Sequence, residues 1–517
     1  MKKVLNKLFG RLVLTAIIIL IQFGWIAFTL YEAGEINYWF SLSLRVISLV
    51  IALYVVYKDS RPHNKLSWIF LILLVPFIGC PCYFLFGRSE MTKKNRAQIA
   101  DLQKMVEPMR EEQEDVSVHL KERDDIAYKQ MSFPQNVGSY PVYMENDSKY
   151  YKVGEEMFAD MLEDIKSAKE FIFLEFFIMK QGKMFDTIVD ALAERAQAGV
   201  NVRLIYDDMG CIDEFPRFFY KDLQAKSLNF IDIFICNIQS TCICNSTINY
   251  HNLSMISVIH GRIAYTGGLN IADEYINEIE RFGHWKDAGV RLTGDAVWSF
   301  TTMFLEMWSY VTKGTEDFSR FKRLENNNKE LILQQKGFVQ PYADCPLDKR
   351  YLVEGIYLNL INHARKNIYI FTPYLILGSE IAAALINAAR SGVDVRIVTP
   401  AIPDKRMVFL LTQANYENLI RGGVKIYQYT PGFIHSKCMV VDDEYASVGT
   451  TNLDFRALYL HFECGTLMYK TKSVHMVTED AIETFGKCRE ILLEECENKN
   501  FFYQLFLSVM QLFSPLL

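Results

Sequence analysis

Residues 435–442 read HSKCMVVD, and residues 449–452, a few positions further on, read GTTN. The first stretch puts a histidine two positions before a lysine, at His435 and Lys437. Side chains two positions apart on an extended strand share a face, so these two are predicted to point together into one site. The pattern therefore indicates a strand that carries chemistry at its beginning.

The residue types in this stretch suit phosphodiester chemistry. Histidine can attack phosphorus and hold a phosphoryl intermediate, or act as a general acid or base near neutral pH. Lysine places a compact positive charge against phosphate oxygens, and Asn452 can donate a hydrogen bond to them. With Asp442 in register as well, the set predicts a phosphate-transfer site.

The chain contains a second copy of the surrounding unit. Residues 196–203, AQAGVNVR, match residues 389–396, ARSGVDVR. In each copy a glycine ends a helical stretch and a Val-x-Val-Arg strand follows. Residues 171–178 and 368–374 are predicted as the first strands of the two units. Strands alternating with helices predict an α/β fold with mixed or parallel sheets covered by helices.

The repeat gives the register of the missing first motif. A shift of 182 positions carries residues 449–452 onto residues 267–270, which read GGLN, so Gly-x-x-Asn is kept. By the same shift the histidine, lysine and aspartate positions hold Leu253, Met255 and His260. The first motif is therefore degenerate.

Two nearby histidines are predicted to be poor substitutes for the lost one. His260 lies seven residues beyond the expected position, about 23 Å along an extended strand, and an odd shift turns it to the other face. His251 is on the correct face but two residues early, about 7 Å away.

On these motifs the chain resembles bacterial cardiolipin synthases of the phospholipase D superfamily. Residues 267–271 (GGLNI), 452–456 (NLDFR) and 285–287 (WKD) add to the resemblance, which covers nearly the whole chain. It implies N-terminal transmembrane helices followed by two phospholipase D-type α/β lobes related by a pseudo-twofold axis. It also implies a phosphatidyltransferase that condenses two phosphatidylglycerols into cardiolipin and glycerol.

The resemblance also implies roles for individual residues. The catalytic residues are His435, Lys437 and Asp442, and the phosphate-binding or supporting residues are Asn452, Glu463, Asn270 and Asp287. No metal and no organic cofactor is implied, because lysine and asparagine can stabilise the developing charge. Glu175, within an apolar strand, is expected to have a structural or a site-facing role.

Degeneracy of the first motif leaves the activity open, because the resemblance implies a two-histidine mechanism. Two chains could each contribute His435 to a site shared in a homodimer, or the chain could pair with an intact relative. The alternative function is a catalytically silent membrane protein that binds anionic lipid or partners an active synthase. The expected partners are phosphatidylglycerol and the membrane; a net charge of −6 does not favour nucleic acid.

The organisation expected along the chain has five parts. They are a membrane anchor at 1–88, a charged helical linker at 89–131, a first lobe at 132–325, a second lobe at 326–500 and an amphipathic tail at 501–517. The apolar segments of the anchor are 12–31, 38–57 and a third at 66–86 interrupted by proline and glycine. Arg45 either meets a lipid phosphate or reaches the membrane surface.

Charges and cysteines bear on location. Basic residues near the N-terminus and around residues 58–65 and 88–96 predict a multi-pass protein of the bacterial cell membrane, with the lobes favoured on the cytoplasmic side. The cysteines, including Cys80, Cys82, Cys242 and Cys244, are spaced unlike metal knuckles and are expected to be free thiols.

Overall fold

The computed structural model describes residues 35–58, 62–87, 93–111, 113–144, 147–207, 210–211, 231–236, 251–323, 337–497, 500–512 and 514. The predicted apolar segment 12–31 and the cysteine pair at 242 and 244 lie outside these residues. The chain divides into two compact units. One unit comprises residues 1–90, 239–248 and 509–517, and the other comprises residues 91–238 and 249–508.

The first unit is built from apolar helices. Helix α1 is Glu35–Tyr57, α2 is Pro62–Leu74, α3 is Pro76–Cys82, and a π-helical turn follows at Tyr83–Gly87. Among the described residues, one helix, Trp39–Tyr57, is long and apolar enough to cross a membrane by length and composition. The predicted third segment is broken at Val75, because Pro76 begins a new helix. Arg45 lies in α1 and is exposed.

The second unit is a mixed α/β structure. Its helices are α4 Lys93–Val106, α5 Glu114–Arg123, α6 Asp125–Gly138, α7 Gly154–Ser167, α8 Lys183–Gln197, α9 Val297–Thr312, α10 Leu352–His363, α11 Ser379–Arg390, α12 Arg406–Arg421, α13 Phe455–Tyr459, α14 Lys472–Phe485, α15 Leu493–Glu497 and α16 Phe501–Leu512, whose last residues belong to the first unit. Short 3₁₀ turns occur at Glu107–Met109, Asp273–Ile276 and Phe318–Phe321. The predicted linker is thus helical over its described residues.

The strands form two large sheets. They are β1 Tyr143–Met144, β2 Ser148–Tyr151, β3 Phe171–Phe176, β4 Asn201–Asp207, β5 Ile231–Cys236, β6 His251–Asn252, β7 Ile256–Ile259, β8 Ile263–Gly267, β9 His284–Lys286, β10 Gly289–Thr293, β11 Phe338–Asp344, β12 Asn367–Phe371, β13 Asp394–Pro400, β14 Lys425–Tyr429, β15 Gly432–Ile434, β16 Cys438–Val441, β17 Tyr445–Gly449, β18 His461–Tyr469 and β19 Cys488–Ile491. One sheet has the order β2-β10-β8-β7-β3-β4-β5, and the other has β1-β11-β18-β17-β16-β12-β13-β14-β19.

The central strands of the two sheets are arranged alike. In each, two antiparallel hairpin strands (β7 and β8, or β16 and β17) sit beside parallel strands (β3, β4, β5, or β12, β13, β14). The bounds of β7 and β8 differ from those of β16 and β17 by the same 182 residues that relate the motifs. The hairpin turns also match, because His260 and Asp442 both have a positive φ, 57° and 56°.

Local sequence explains why these helices cover the sheets. In α7, Met157, Met161 and Ile165 recur every four residues and are buried, as an amphipathic helix requires. By contrast α9 is buried along most of its length, and its Phe304 stacks on Phe173 of β3 with ring centroids 4.7 Å apart. Apolar burial on both faces of β3 therefore fixes the strand that carries Glu175.

Candidate active site

The site is built where two segments from the two halves of the chain meet. Strand β9 pairs in parallel with β15, so that Trp285 lies opposite Phe433. Just beyond this pair, the His435 N–H donates to the Lys286 carbonyl oxygen over 2.7 Å. His435 and Lys437 thus lie in the connection between β15 and β16, whereas the sequence predicted a strand. At this point the backbone of His435 is hydrogen-bonded to Lys286 from the other half of the chain and is not part of a strand.

His435 is held by a carboxylate from the other half of the chain. Its Nδ1 lies 2.7 Å from Oδ2 of Asp287. Asp287 is 1% exposed and also accepts the Ala288 N–H at 2.9 Å. Gly268 leaves room for this carboxylate, since a Cβ there would lie 2.0 Å from Asp287 Oδ1. A buried carboxylate at Nδ1 fixes the ring and leaves Nε2 as the reactive nitrogen.

The protonation of this pair follows from its surroundings. Burial and the charge of Lys437 lower the pKa of His435, although Asp287 opposes them. Burial raises the pKa of Asp287, but His435 and Lys437 outweigh it and the net shift is downward. His435 is therefore neutral at pH 7, with its Nδ1 proton donated to an ionised Asp287, and its Nε2 carries a lone pair suited to attack on phosphorus.

Lys437 supplies positive charge beside this pair. It is 5% exposed and its Nζ donates to the His435 carbonyl oxygen. Burial lowers the pKa of Lys437 to about 8, partly offset by Asp287, Glu463, Asp404 and Asp454. The ammonium is still largely charged at pH 7 and is suited to balance a phosphate anion.

Three aromatic rings frame the His435 imidazole. The ring centroids of Trp285, Tyr275 and Phe433 lie 5.2, 5.4 and 5.8 Å from it. Sequence reasoning missed Tyr275 and Phe433. Phe433 lies two positions before His435, so that spacing could have identified it, whereas Tyr275 comes from a distant 3₁₀ turn. Packed rings limit the motion of the imidazole and exclude water from it.

The two predicted supporting asparagines, Asn452 and Asn270, differ in their hydrogen bonds. Asn452 is buried and its Oδ1 has no hydrogen-bond partner among the described residues. Asn270, its counterpart, is engaged by the protein itself: Oδ1 accepts the Ile178 N–H at 3.0 Å and Nδ2 donates to Tyr275 Oη at 3.1 Å. The Asn452 amide oxygen can therefore accept a hydrogen bond from a lipid hydroxyl, whereas a phosphate oxygen would need the Nδ2 N–H of the same side chain.

Glu463 occupies the position that corresponds to Asp287, but the motif position that corresponds to His435 holds Leu253. It is fully buried, and burial raises its pKa well above the ordinary value. The Thr450 hydroxyl donates to its Oε2, while Oε1 lacks a hydrogen-bond partner among the described residues. The position of the lost histidine is filled by Leu253, whose N–H donates to the Phe462 carbonyl oxygen at 3.0 Å.

Asp442 lies at the far end of β16 from Lys437. Its carboxylate accepts the backbone N–H groups of Arg365, Lys366 and Asn367 at 2.9, 2.6 and 3.2 Å. His260 does the same in the first half, where its Nδ1 accepts the Lys169 N–H at 3.0 Å. The Asp442 carboxylate is therefore engaged by the backbone of residues 365–367, away from Lys437.

Glu175 also meets the motif region. Asn252 Nδ2 donates to its Oε1 at 2.5 Å, and the Asn252 N–H donates to Asp207 at 3.1 Å. The two carboxylates thus position the residue that precedes Leu253. Burial raises the pKa of Glu175 to about 8.

Lys286, which stands beside Asp287, forms a buried ion pair with Asp480 at 2.7 Å.

The cysteines and the C-terminal tail follow the sequence predictions where they are described. All cysteines whose side chains are described are free thiols. Residues 501–512 form a helix with exposed Phe502, Leu505, Phe506 and Val509. At its end the Leu512 carbonyl oxygen accepts a hydrogen bond from Ser67 Oγ at 2.5 Å.

Comparison with known proteins identifies relatives of the chain. Residues 357–484 match the family model described as "Cardiolipin synthase, PLD-like domain", and residues 46–88 match "Phospholipase_D-nuclease N-terminal". An uncharacterised protein of Streptococcus mutans is 36% identical over 90% of this chain and 99% of its own. A cardiolipin synthase of Geobacillus thermodenitrificans is 31% identical over 93% of this chain and 96% of its own.

A solved structure extends the comparison to the fold. The crystal structure of phosphatidylserine synthase from Haemophilus influenzae Rd KW20 covers 75% of this chain and 100% of its own, with a TM-score of 0.58 at 15% identity. That likeness concerns the fold alone. The predicted resemblance is confirmed by the sequence relatives, and the chain belongs to the cardiolipin synthase family of phospholipase D-like proteins.

Proposed function

We propose that this chain is a phosphatidyltransferase of the cardiolipin synthase type. It transfers the phosphatidyl group of one phosphatidylglycerol to the free hydroxyl of a second, which forms cardiolipin and releases glycerol. The observation that carries the proposal is the 2.7 Å contact between His435 and Asp287, with Lys437 beside it. A neutral, oriented imidazole next to a buried ammonium is what nucleophilic attack on a phosphodiester needs.

The two sheets are proposed to be two lobes related by a pseudo-twofold axis. Their matching strand order, the 182-residue offset and the matching turns at His260 and Asp442 support this. The site then lies at the seam of the lobes, because Asp287 comes from one and His435 from the other. A single chain supplies both members of the pair, so the proposal needs neither a second copy nor an intact relative to build it.

The proposed location is the bacterial cell membrane, with several membrane segments and the α/β unit on the cytoplasmic side. Support comes from α1, from the apolar segments on either side of it in sequence, and from the basic residues after residue 87. The relatives named cardiolipin synthase and the apolar, exposed face of α16 agree with a lipid substrate. Labelling of single cysteines introduced near residue 111, in intact and in opened cells, tests the side.

The function is tested with the purified full-length chain in phosphatidylglycerol vesicles that contain no other synthase. Cardiolipin is followed by mass spectrometry for the wild type, for His435→Ala and for the control His475→Ala, an exposed histidine in α14. Formation of cardiolipin by the wild type and the control, and its loss in His435→Ala, are expected. A folded wild type that makes none would favour the silent lipid-binding alternative.

A further inference from the structure

Leu253 and His435 make equivalent backbone hydrogen bonds in their two halves of the chain. Each donates its N–H to the strand across from it, Leu253 to Phe462 at 3.0 Å and His435 to Lys286 at 2.7 Å. Two positions earlier, β15 and β9 pair Phe433 with Trp285, and β6 and β18 pair His251 with His461. In the strand pairing, His461 therefore holds the position relative to Leu253 that Trp285 holds relative to His435.

The consequence is a change of chemistry beside the lost histidine. The pair of rings two positions before His435 is Phe433 and Trp285. The corresponding pair two positions before Leu253 is His251 and His461, whose ring centroids lie 5.5 Å apart. The carboxylate keeps its place in both halves of the chain, two residues after Trp285 at Asp287 and two residues after His461 at Glu463. Glu463 Oε1 lies 3.9 Å from His461 Nδ1.

Unpartnered polar atoms gather on this side. Four buried side-chain atoms of the segment 451–463 have no hydrogen-bond partner in the described part of the chain: Thr451 Oγ1, Asn452 Oδ1, His461 Nδ1 and Glu463 Oε1. Buried polar groups are nearly always paired in native proteins, so a cluster of exceptions marks a place for a polar ligand. A phosphodiester and a glycerol hydroxyl have the acceptors and donors that this cluster lacks.

We propose that His461 has taken over the proton transfer for which Leu253 no longer carries a histidine, an inference that rests on the proposed phosphatidyltransferase function. His461 is preferred to His251 because the His251 Nδ1 lies 3.6 Å from Asp207, which also holds Asn252. His461 instead stands beside the unengaged oxygen of Glu463. The chain thus keeps two working histidines, with the second one on β18.

The proposed reaction needs only His435, His461 and two phosphatidylglycerol molecules, and its atoms and protons balance. His435 Nε2 attacks phosphorus and the bond from phosphorus to the glycerol oxygen breaks, while the His461 imidazolium gives that oxygen a proton. The hydroxyl of the second phosphatidylglycerol next loses its proton to neutral His461. Its oxygen attacks phosphorus, the phosphorus–nitrogen bond breaks, and His435 is regenerated with His461 again protonated.

The surroundings of His461 keep its ring neutral until a phosphodiester binds. Burial lowers the pKa of His461 well below the ordinary value, and Arg456, His251 and Lys405 lower it further. Glu463 faces it from β18 and is itself held neutral by burial. The ring is therefore neutral in the empty site, and its Nε2 accepts the Arg456 Nε–H at 3.3 Å. An anionic phosphodiester favours uptake of a proton by the ring and accepts the Arg456 N–H that the imidazolium releases.

The test separates proton transfer from structure by the leaving group. The full-length wild type, His461→Gln, His251→Gln and His435→Ala are compared in vesicles on two substrates. The first is phosphatidylglycerol, whose glycerol needs a proton to leave. The second is the p-nitrophenyl ester of phosphatidic acid, whose phenolate leaves without one. Cardiolipin is measured by mass spectrometry, and the first-turnover burst of nitrophenol is measured by absorbance.

For His461→Gln we expect cardiolipin formation to fall by about 10² to 10⁴-fold, the usual worth of general acid–base help, with the nitrophenol burst kept. His251→Gln, a change at the neighbouring buried histidine, should keep the nitrophenol burst and lose far less cardiolipin formation, because it removes only a group that lowers the pKa of His461. Equal loss of both signals in His461→Gln would mean a structural role and overturn the inference, as would loss of cardiolipin in His251→Gln alone.

Failure of the proposed function gives a different result. A wild type that releases nitrophenol through His435 but makes no cardiolipin would retain the phosphodiester site and overturn the role of His461. A wild type that shows neither signal would overturn the phosphatidyltransferase proposal itself, and the inference about His461 with it.

Discussion

Asp287 and His435 are 148 positions apart in sequence, and their side chains meet at 2.7 Å in a pocket of aromatic rings. The carboxylate comes from the half of the chain that has lost its own histidine, lysine and aspartate. That half therefore still serves the site, as the partner of the histidine in the other half.

Replacing Asp287 by asparagine tests this relationship. We expect Asp287→Asn to lower cardiolipin formation by about 10² to 10⁴-fold, because the imidazolium that forms during transfer loses its anionic partner. The acid limb of the pH–rate profile should move to lower pH, since Asp287 raises the pKa of His435 against burial. Asp186→Asn, an exposed aspartate on α8, is the control. An unchanged acid limb would contradict the pairing.

We expect the charge of Lys437 to set the alkaline limb of the pH–rate profile for cardiolipin formation. Its pKa is about 8, so the positive charge that balances the phosphate disappears as the pH rises through that value. In Lys437→Arg the charge persists, because a guanidinium stays protonated. We expect the alkaline midpoint of the transfer rate to move upward even if the peak rate falls. The exposed Lys152→Arg should leave the midpoint in place, and a midpoint that did not move in Lys437→Arg would argue against this role.

Asp442 is expected to matter for stability and not for chemistry. Removing a carboxylate that accepts three backbone N–H groups should cost about 2–3 kcal/mol in the free energy of unfolding. Asp442→Ala should therefore melt at a lower temperature while the rate per folded molecule stays near that of the wild type. Asp443→Ala is the matched control, since Asp443 has a similar φ of 58° and contacts one side chain, Asn367. A folded Asp442→Ala protein without activity would restore its predicted catalytic role.

Glu175 makes stability depend on pH. Its folded-state pKa of about 8 lies above its ordinary value of 4.5, so the unfolded chain ionises first and the folded state loses stability as the pH rises from 4.5 to about 8. At pH 8 this amounts to as much as about 5 kcal/mol. Glu175→Gln, which keeps the Asn252 hydrogen bond, should raise the melting temperature at pH 8 and have little effect near pH 4.5. Exposed Glu163→Gln should shift neither, and a pH-independent effect of Glu175→Gln would rule out this explanation.

The sequence was informative where chemistry and spacing coincide. His435 and Lys437 lie two positions apart in the chain, with Lys437 Nζ donating to the His435 carbonyl oxygen. The 182-residue offset identified Leu253 as the counterpart of His435, because β7, β8, β16 and β17 keep the same lengths. The break at Pro76 was also predicted, since proline lacks the N–H of a helical residue and crowds the preceding turn, although Pro81 lies inside α3.

What the sequence left out depends on pairing between distant strands. Nothing in the order of residues says that β6 lies beside β18, and without that pairing His461 is an ordinary histidine before a Phe-Glu dipeptide. The spacing of seven residues also did not show that the Asp442 carboxylate accepts three backbone N–H groups at the end of β16 far from Lys437. Thr450 was read only as a spacer, although it holds the carboxylate of Glu463.

The difference between Gly268 and Thr450 has a consequence for the lipid that is held during turnover. Beside Gly268 the Asp287 carboxylate contacts His435. Beside Thr450 one oxygen of the Glu463 carboxylate accepts the threonine hydroxyl, and the other lies 3.9 Å from His461. If His435 is the nucleophile, the covalent lipid adduct forms at that one residue, and the donor lipid enters the site from one direction. Two identical substrates would be told apart by the enzyme, one always giving up its headgroup and the other always keeping it.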